Sequence, residues 1–205
     1  MKVIGLCGGS GSGKGAVCNI FREKGIFCVD TDLVYRDLTA RPGPLIRELK
    51  REFGKEIITD ANTLNRKALA KIVFSSENSD EKLKRLNDIA HKYILDETRA
   101  MLKWQSADGA DLSVVDAPVL FESGFDRECD IIISVIADKA TRINCIITRD
   151  AISAEQAEER IASQMSDEEL IRRSNYVIRN NGSLEELKTT VFALIDELTK
   201  NNFER

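Results

Sequence analysis

The sequence has 205 residues but only one histidine, His91, and none of its five cysteines forms a CxxC pair. That leaves no spacing from which a Cys/His metal site could be assembled. The cysteine count is odd (Cys7, Cys18, Cys28, Cys129, Cys145), which argues for reduced, mostly buried thiols of a cytosolic protein and against a disulfide framework. Basic residues are not in excess: 30 Lys+Arg face 34 Asp+Glu, a net charge of −4, whereas a nucleic-acid binder normally carries a basic stripe. No apolar run reaches the ~18 residues of a membrane span, and the opening MKVIGLCGG is too short in its apolar part for a signal peptide. The expectation is a cytoplasmic protein with no nucleic-acid or membrane partner. Any anionic ligand must then be held by a local cluster of positive groups.

What is present is ample apolar residue: 42% hydrophobic against 31% charged, enough for one solid core that buries roughly 70% of the unfolded surface. Apolar β-branched runs at Lys2–Cys7, Ile26–Val29, Leu112–Val115, Ile131–Ile136 and Tyr176–Ile178 are continuous instead of alternating, as a parallel sheet covered on both faces requires. Helix-like stretches separate them. The predicted fold class is therefore α/β, a parallel sheet of about five strands flanked by helices within a single domain, 1–205. Residues 31–106 are too long for one crossover and read as an inserted lobe of several helices, including a charged one from Asp80 to Trp104. Residues 139–166 are rich in Arg, Glu and Ala and read as a solvated, mobile lid. Ser183 with Glu186 forms a capping box for the last helix.

Gly8-Gly9-Ser10-Gly11-Ser12-Gly13-Lys14-Gly15 satisfies G-x-x-x-x-G-K between a predicted strand and a predicted helix, the context that a phosphate loop needs. Glycines let the backbone approach an anion and turn its N–H groups inward, and the helix N-terminus adds partial positive charge. Lys14 would reach the β- and γ-phosphates. Gly15 stands where a Ser or Thr hydroxyl usually binds Mg2+, so either water fills that place or metal and nucleotide bind less tightly. Asp30 and Asp32 follow the second strand at i, i+2. In extended backbone they point to one side, where a carboxylate can accept a hydroxyl proton during phosphoryl transfer; capping of the next helix is the other reading. Asp116 ends a strand in an hhhD pattern that can hold Mg2+ through water. Arg142, Arg149 and Arg160 lie in the lid, with Arg149 the candidate to stabilise transferring charge. His91 reads equally as a structural or a substrate histidine.

Together these residues resemble the dephospho-CoA kinase family along nearly the whole chain. GLCGGSGSGK is similar to that family's GLTGGIGSGK, and Val29-Asp-Thr-Asp32 to its V-I-D-A-D. Leu64-Asn-Arg66, Ile72-Val-Phe74, the more specific Asp116-Ala-Pro-Val-Leu-Phe-Glu-Ser-Gly124, Arg149-Asp150, Gln164-Met165 and Asn180-Asn-Gly182 follow in the family's order. The resemblance implies transfer of the ATP γ-phosphoryl group to the ribose 3′-hydroxyl of dephospho-CoA, the last step of coenzyme A synthesis, with Mg2+. It implies Asp32 as base, Lys14 and Arg149 on the phosphates, and Gly9, Ser10, Gly11, Ser12, Gly13, Lys14, Gly15, Ala16, Asn181 and Gly182 around ATP. Asp30, Arg66, His91, Leu120 and Glu122 would contact the acceptor. The chain departs from the family at Cys7 (Thr), Gly15 (Ser or Thr), Lys92 (Pro), Cys145 (Arg) and Arg179 (Asp). Two alternatives stay open: a nucleoside or nucleotide kinase of the same architecture, and a nucleotide- or CoA-sensing module without turnover.

Overall fold

In a computed structural model, which describes residues 1–74 and 78–200, five parallel strands form one sheet. They are β1 (Lys2–Cys7), β2 (Phe27–Asp30), β3 (Leu112–Asp116), β4 (Ile131–Ile136) and β5 (Tyr176–Arg179), in the spatial order β2-β3-β1-β4-β5. β1 lies in the middle, with Leu6 beside Asp116 of β3 on one flank and beside Ile133 of β4 on the other. The unbroken apolar runs are explained by this position: Ile4, Leu6, Val114, Ile133 and Val135 are fully buried, each gaining roughly 1.5–3 kcal/mol relative to exposure. Helix α1 (Lys14–Glu23) follows β1, α8 (Asp167–Arg173) precedes β5, and α9 (Leu184–Lys200) packs Leu187, Val191 and Leu198 into the same core. The Ser183–Glu186 box is present, Ser183 N donating to Glu186 Oε2 at 2.7 Å and Glu186 N to Ser183 Oγ at 3.3 Å.

The chain divides into two compact units: Met1–Val29 with Gln105–Arg205, which holds the sheet, and Asp30–Trp104. The second is helical: α2 (Thr31–Thr39), α3 (Pro44–Phe53), α4 (Arg66–Phe74) and most of α5 (Ser79–Ala107). The expected lobe, 31–106, includes residues 75–77, which lie outside the described residues, as do 201–205. Its core is made by one stripe of α3, Leu45, Ile46, Leu49 and Phe53, packed with Ile57, Leu69 and Val73. That spacing is the apolar face of an amphipathic helix. Pro44 starts α3 at its first turn, and Gly54 at φ 94° ends it, the usual asymmetry of helix termini. The charged helix begins one residue earlier and ends three later than its sequence reading of Asp80–Trp104.

Three expectations need correction. β2 ends at Asp30 as expected but starts at Phe27, not Ile26, because Ile26 closes the turn after α1, its N–H bonding to Phe21 O at 3.1 Å. Asp30 and Asp32 do not share an extended segment. The chain turns helical at Thr31; Asp30 caps α2, its Oδ1 accepting from Leu33 N at 3.0 Å, and Asp32 sits exposed in the first turn. Finally, residues 139–166 are not merely a solvated cover. They form α6 (Lys139–Asp150) and α7 (Ala154–Ala162), joined through Ala151 at φ 53°, and Arg142, Ile146 and Ala157 on their inner face are buried.

Candidate functional site

The loop between β1 and α1 carries the site. Gly11 at φ 76° and Gly13 at φ 94° adopt the left-handed conformation that L side chains avoid. A Cβ at Gly11 would also meet the Arg142 carbonyl, and one at Gly13 the Asn180 side-chain amide. Gly13 caps α1 with no side-chain hydrogen bond, and the first turn carries no acidic residue, so neither the cap nor the first turn supplies a carboxylate to compete with an anion for the helix end's partial positive charge. Lys14 turns its ammonium back onto the loop, donating to Gly8 O at 2.9 Å. Gly15 is different: it is exposed, and a Cβ there would meet nothing within 4 Å.

Around the loop stand side chains from three other segments of the same unit. From the end of β3, Asp116 accepts from the Cys18 thiol at 3.6 Å. From the end of β5, Asn180 donates to Ser12 O at 2.9 Å, while Asn181 accepts from Asp138 N at 2.8 Å and so fastens the start of α6. From the turn after α7, Gln164 accepts from Ser10 N at 2.8 Å and donates to Ser10 Oγ at 3.0 Å. A cleft of about 150 Å³ opens beside the loop, lined by Cys7, Gly8, Gly9, Glu122, Gln164 and Met165. Burial pushes the Cys7 thiol up to about 11, so it remains a neutral lining group near pH 7.

The structure distributes the remaining candidates unevenly. Glu122 lines the cleft, but Leu120 is 0% exposed. Its side chain packs on Gly5 and so belongs to the core, not to a ligand surface. Arg149 is half-exposed and makes a two-point pair with its neighbour Asp150, at 2.8 and 2.9 Å, which Arg160 joins. These two guanidinium groups, Arg149 first, hold the Asp150 carboxyl down near 2. In the helical unit Arg66 opens α4 and donates to Thr39 Oγ1 at 3.0 Å, its guanidinium 5.4 Å from the Tyr35 ring. His91 is half-buried on α5. That unit has its own cleft of about 400 Å³, lined among others by Arg41, Pro44, Tyr93, Asp96 and Glu97. Sequence reasoning assigned no role to Asn180 or Gln164 and read Arg142 as solvated, although it is 5% exposed. The only signal for the first two was their presence in the strings Gln164-Met165 and Asn180-Asn-Gly182.

A glycine loop of this conformation between the central strand of a parallel sheet and its helix defines the class: a phosphate-loop nucleotide-binding protein. The comparisons with known proteins narrow it. A family model described as dephospho-CoA kinase matches residues 2–186. A dephospho-CoA kinase of Fusobacterium nucleatum is 39% identical over 187 residues, 91% of this chain and 93% of that one. One of Corynebacterium glutamicum is 35% identical over 198 residues, covering 97% and 98%. Among solved structures, a Thermus thermophilus protein superposes with a TM-score of 0.78 at 31% identity, covering 96% of this chain and 97% of that one. The dephospho-CoA kinase from Campylobacter jejuni shares the fold, with a TM-score of 0.72 at 22% identity over 99% and 100%. The chain belongs to the dephospho-CoA kinase family.

Proposed function

We propose that the chain carries out its family's reaction with the residues described above, transferring the γ-phosphoryl group of ATP to the ribose 3′-hydroxyl of dephospho-CoA. The observation that carries this reading is the loop itself, with its left-handed glycines and an α1 N-terminus free of acidic side chains. Lys14 exchanges the Gly8 carbonyl for the phosphates, and Arg149 sets its positive charge against the negative charge spread over the transferring oxygens. Asp32 takes the proton of the acceptor hydroxyl while that oxygen bonds to the γ-phosphorus and the bond to the β-phosphate oxygen breaks, giving ADP and coenzyme A. Asp30 serves as the cap of α2 and holds the turn that carries Asp32. Arg66, His91 and the 31–106 lobe take the acceptor, and 139–166 acts as a lid. The reaction runs in the cytoplasm; among the described residues no helix is long and apolar enough to cross a membrane.

Mg2+ fits this site through water. Among the described residues no three His, Cys, Asp or Glu side chains converge as a ligand set, and position 15 offers no hydroxyl. The space beside Gly15 is open, however, and Asp116 presents a carboxylate at the sheet edge, a donor set suited to an ion that keeps several of its waters and takes its other ligands from phosphates. When bound, it neutralises charge on the β- and γ-phosphate oxygens. The test is ADP release with ATP, Mg2+ and dephospho-CoA, with coenzyme A identified by mass. Product that depends on dephospho-CoA is expected; ATP binding without any product would overturn the reading in favour of a sensing module.

A further inference from the structure

We infer that Arg142 and Asn180 are positioning residues that set which backbone N–H groups of the phosphate loop face the nucleotide, by capturing the carbonyl that precedes each one. The inference rests on the kinase reading for the identity of the anion and adds to it the device that prepares the loop. Arg142 Nε donates to Ser10 O at 3.0 Å, and Asn180 Nδ2 donates to Ser12 O at 2.9 Å. In a planar trans peptide the C=O and the following N–H point in opposite directions. Holding Ser10 O toward Arg142 therefore aims the Gly11 N–H away from it, and holding Ser12 O toward Asn180 aims the Gly13 N–H away likewise. Gly11 and Gly13, at φ 76° and 94°, are two of the three loop glycines with positive φ, Gly8 at 149° being the other. A glycine peptide has little steric reason to stay in one orientation, so an external donor must fix it.

Gln164 engages a further amide of the loop. It accepts from Ser10 N at 2.8 Å, which takes that N–H out of phosphate binding, and its carbonyl oxygen also accepts from Arg142 Nη2 at 3.3 Å. Arg142 is itself fixed: it is 5% exposed, and Nη1 donates to Asp167 Oδ1 at 3.1 Å. Its guanidinium also lies where a Cβ of Gly9 would be, and its own carbonyl where a Cβ of Gly11 would be. The packing thus matches glycines in the loop to an arginine in α6. Three residues further along α6, the position at which relatives carry arginine by resemblance is the exposed Cys145. In this chain the buried cation against the loop comes from Arg142.

The test is titration calorimetry of the purified protein with inorganic triphosphate and, separately, adenosine, alongside steady-state kinetics with ATP and dephospho-CoA. Arg142→Gln is expected to weaken triphosphate binding and raise the KM for ATP by about tenfold, the value of a lost hydrogen bond involving a charged group, and Asn180→Ala, which loses a neutral bond, by about fivefold. Adenosine affinity and the KM for dephospho-CoA should change little. Arg142→Lys should recover part of the loss, since a lysine supplies one donor for Ser10 O but cannot also reach Gln164 and Asp167. Equal losses for adenosine and triphosphate, or no loss for either, would overturn the inference. Should Arg142→Gln fail to fold, Gln164→Ala interrogates the same link from the other side; it frees the Ser10 N–H, and unchanged triphosphate affinity there counts equally against the inference. A wild-type protein that binds triphosphate but makes no coenzyme A would sink the kinase reading while leaving this one standing.

Discussion

The sheet-bearing unit and the helical unit Asp30–Trp104 present their chemistry in different materials. In the first, the groups aimed at a ligand belong to main chain: a loop whose glycines fix peptide orientation, buttressed by Asn180, Gln164 and Arg142. In the second, the groups proposed for the acceptor are side chains on helices, Arg66 on α4 and His91 on α5, beside a cleft with a charged rim at Arg41, Asp96 and Glu97. A backbone site is intolerant of atoms added where its glycines are tightly packed but indifferent to most chemistry. A side-chain site behaves in the opposite way, since changing one functional group alters the reaction while the scaffold persists. The contrast predicts different failures for the two units.

The largest effect should come from removing one group on each side. Lys14→Ala is expected to lower both ATP affinity and turnover, because its ammonium serves ground state and transition state alike. Asp32→Asn, nearly isosteric but a poor base, is expected to cut kcat by about 10²–10⁴ while the dissociation constant of ATP stays within about twofold. Calorimetry with ATP beside kcat measurements reads both. Loss of ATP affinity in the Asp32 variant, or full activity, would remove it from the base role and blur the division between units.

A smaller effect separates two glycines four residues apart. Gly11→Ala places a Cβ against the Arg142 carbonyl at φ 76°, a strain of about 1–3 kcal/mol, and should lower the melting temperature together with ATP affinity. Gly15→Ser enters open space on an exposed helical position. Serine is also the better helix former, by a few tenths of a kcal/mol, and its hydroxyl can join the metal's ligands. Mg-ATP should bind more tightly, with no loss of stability. An unchanged constant for Gly15→Ser would mean that water already serves the metal as well as a hydroxyl would.

The division also explains what could be read in advance. Strands β1, β3 and β4 were legible because parallel burial demands unbroken apolar runs, and the loop because few backbones other than a phosphate cradle need Gly-rich sequence at that spot. The strand order was not legible, since helical crossovers allow several. Arg142 escaped for a related reason. Its neighbours on α6 are mostly polar, and Arg142 and Arg149 look alike in the sequence, seven residues apart on one helix. One is buried under the loop and the other stands largely in solvent, a difference made by Ser10, Gln164 and Asp167, which no local pattern links to position 142. The Asp30–Asp32 pair misled because i, i+2 geometry holds only where the chain stays extended, and a good N-cap residue at the strand end is itself the signal that it does not.

The smallest predicted effect compares a carboxylate from each unit. Asp150 is held from 3.8 down to about 2 by the Arg149 and Arg160 guanidinium groups. Glu48 is lowered chiefly by the Tyr93 hydroxyl, which donates to it at 2.5 Å, with Lys92 at 3.3 Å a lesser cause. Both carboxyls are more acidic folded than unfolded, so each interaction is complete above the ordinary carboxylate range and lost as the pH falls through the folded value, toward 2 for Asp150. Salt should tell them apart. At about 1 M the screening length is near 3 Å, so Asp150, depressed by charges at the surface, should move up toward its ordinary value, while Glu48, depressed mainly by a neutral donor, should move less. Carboxyl carbon shifts followed by NMR through acid at low and high salt measure both. Equal displacement of the two would mean that Lys92, not Tyr93, governs Glu48, and that the helical unit's polar cluster is as purely ionic as the pair that ends α6.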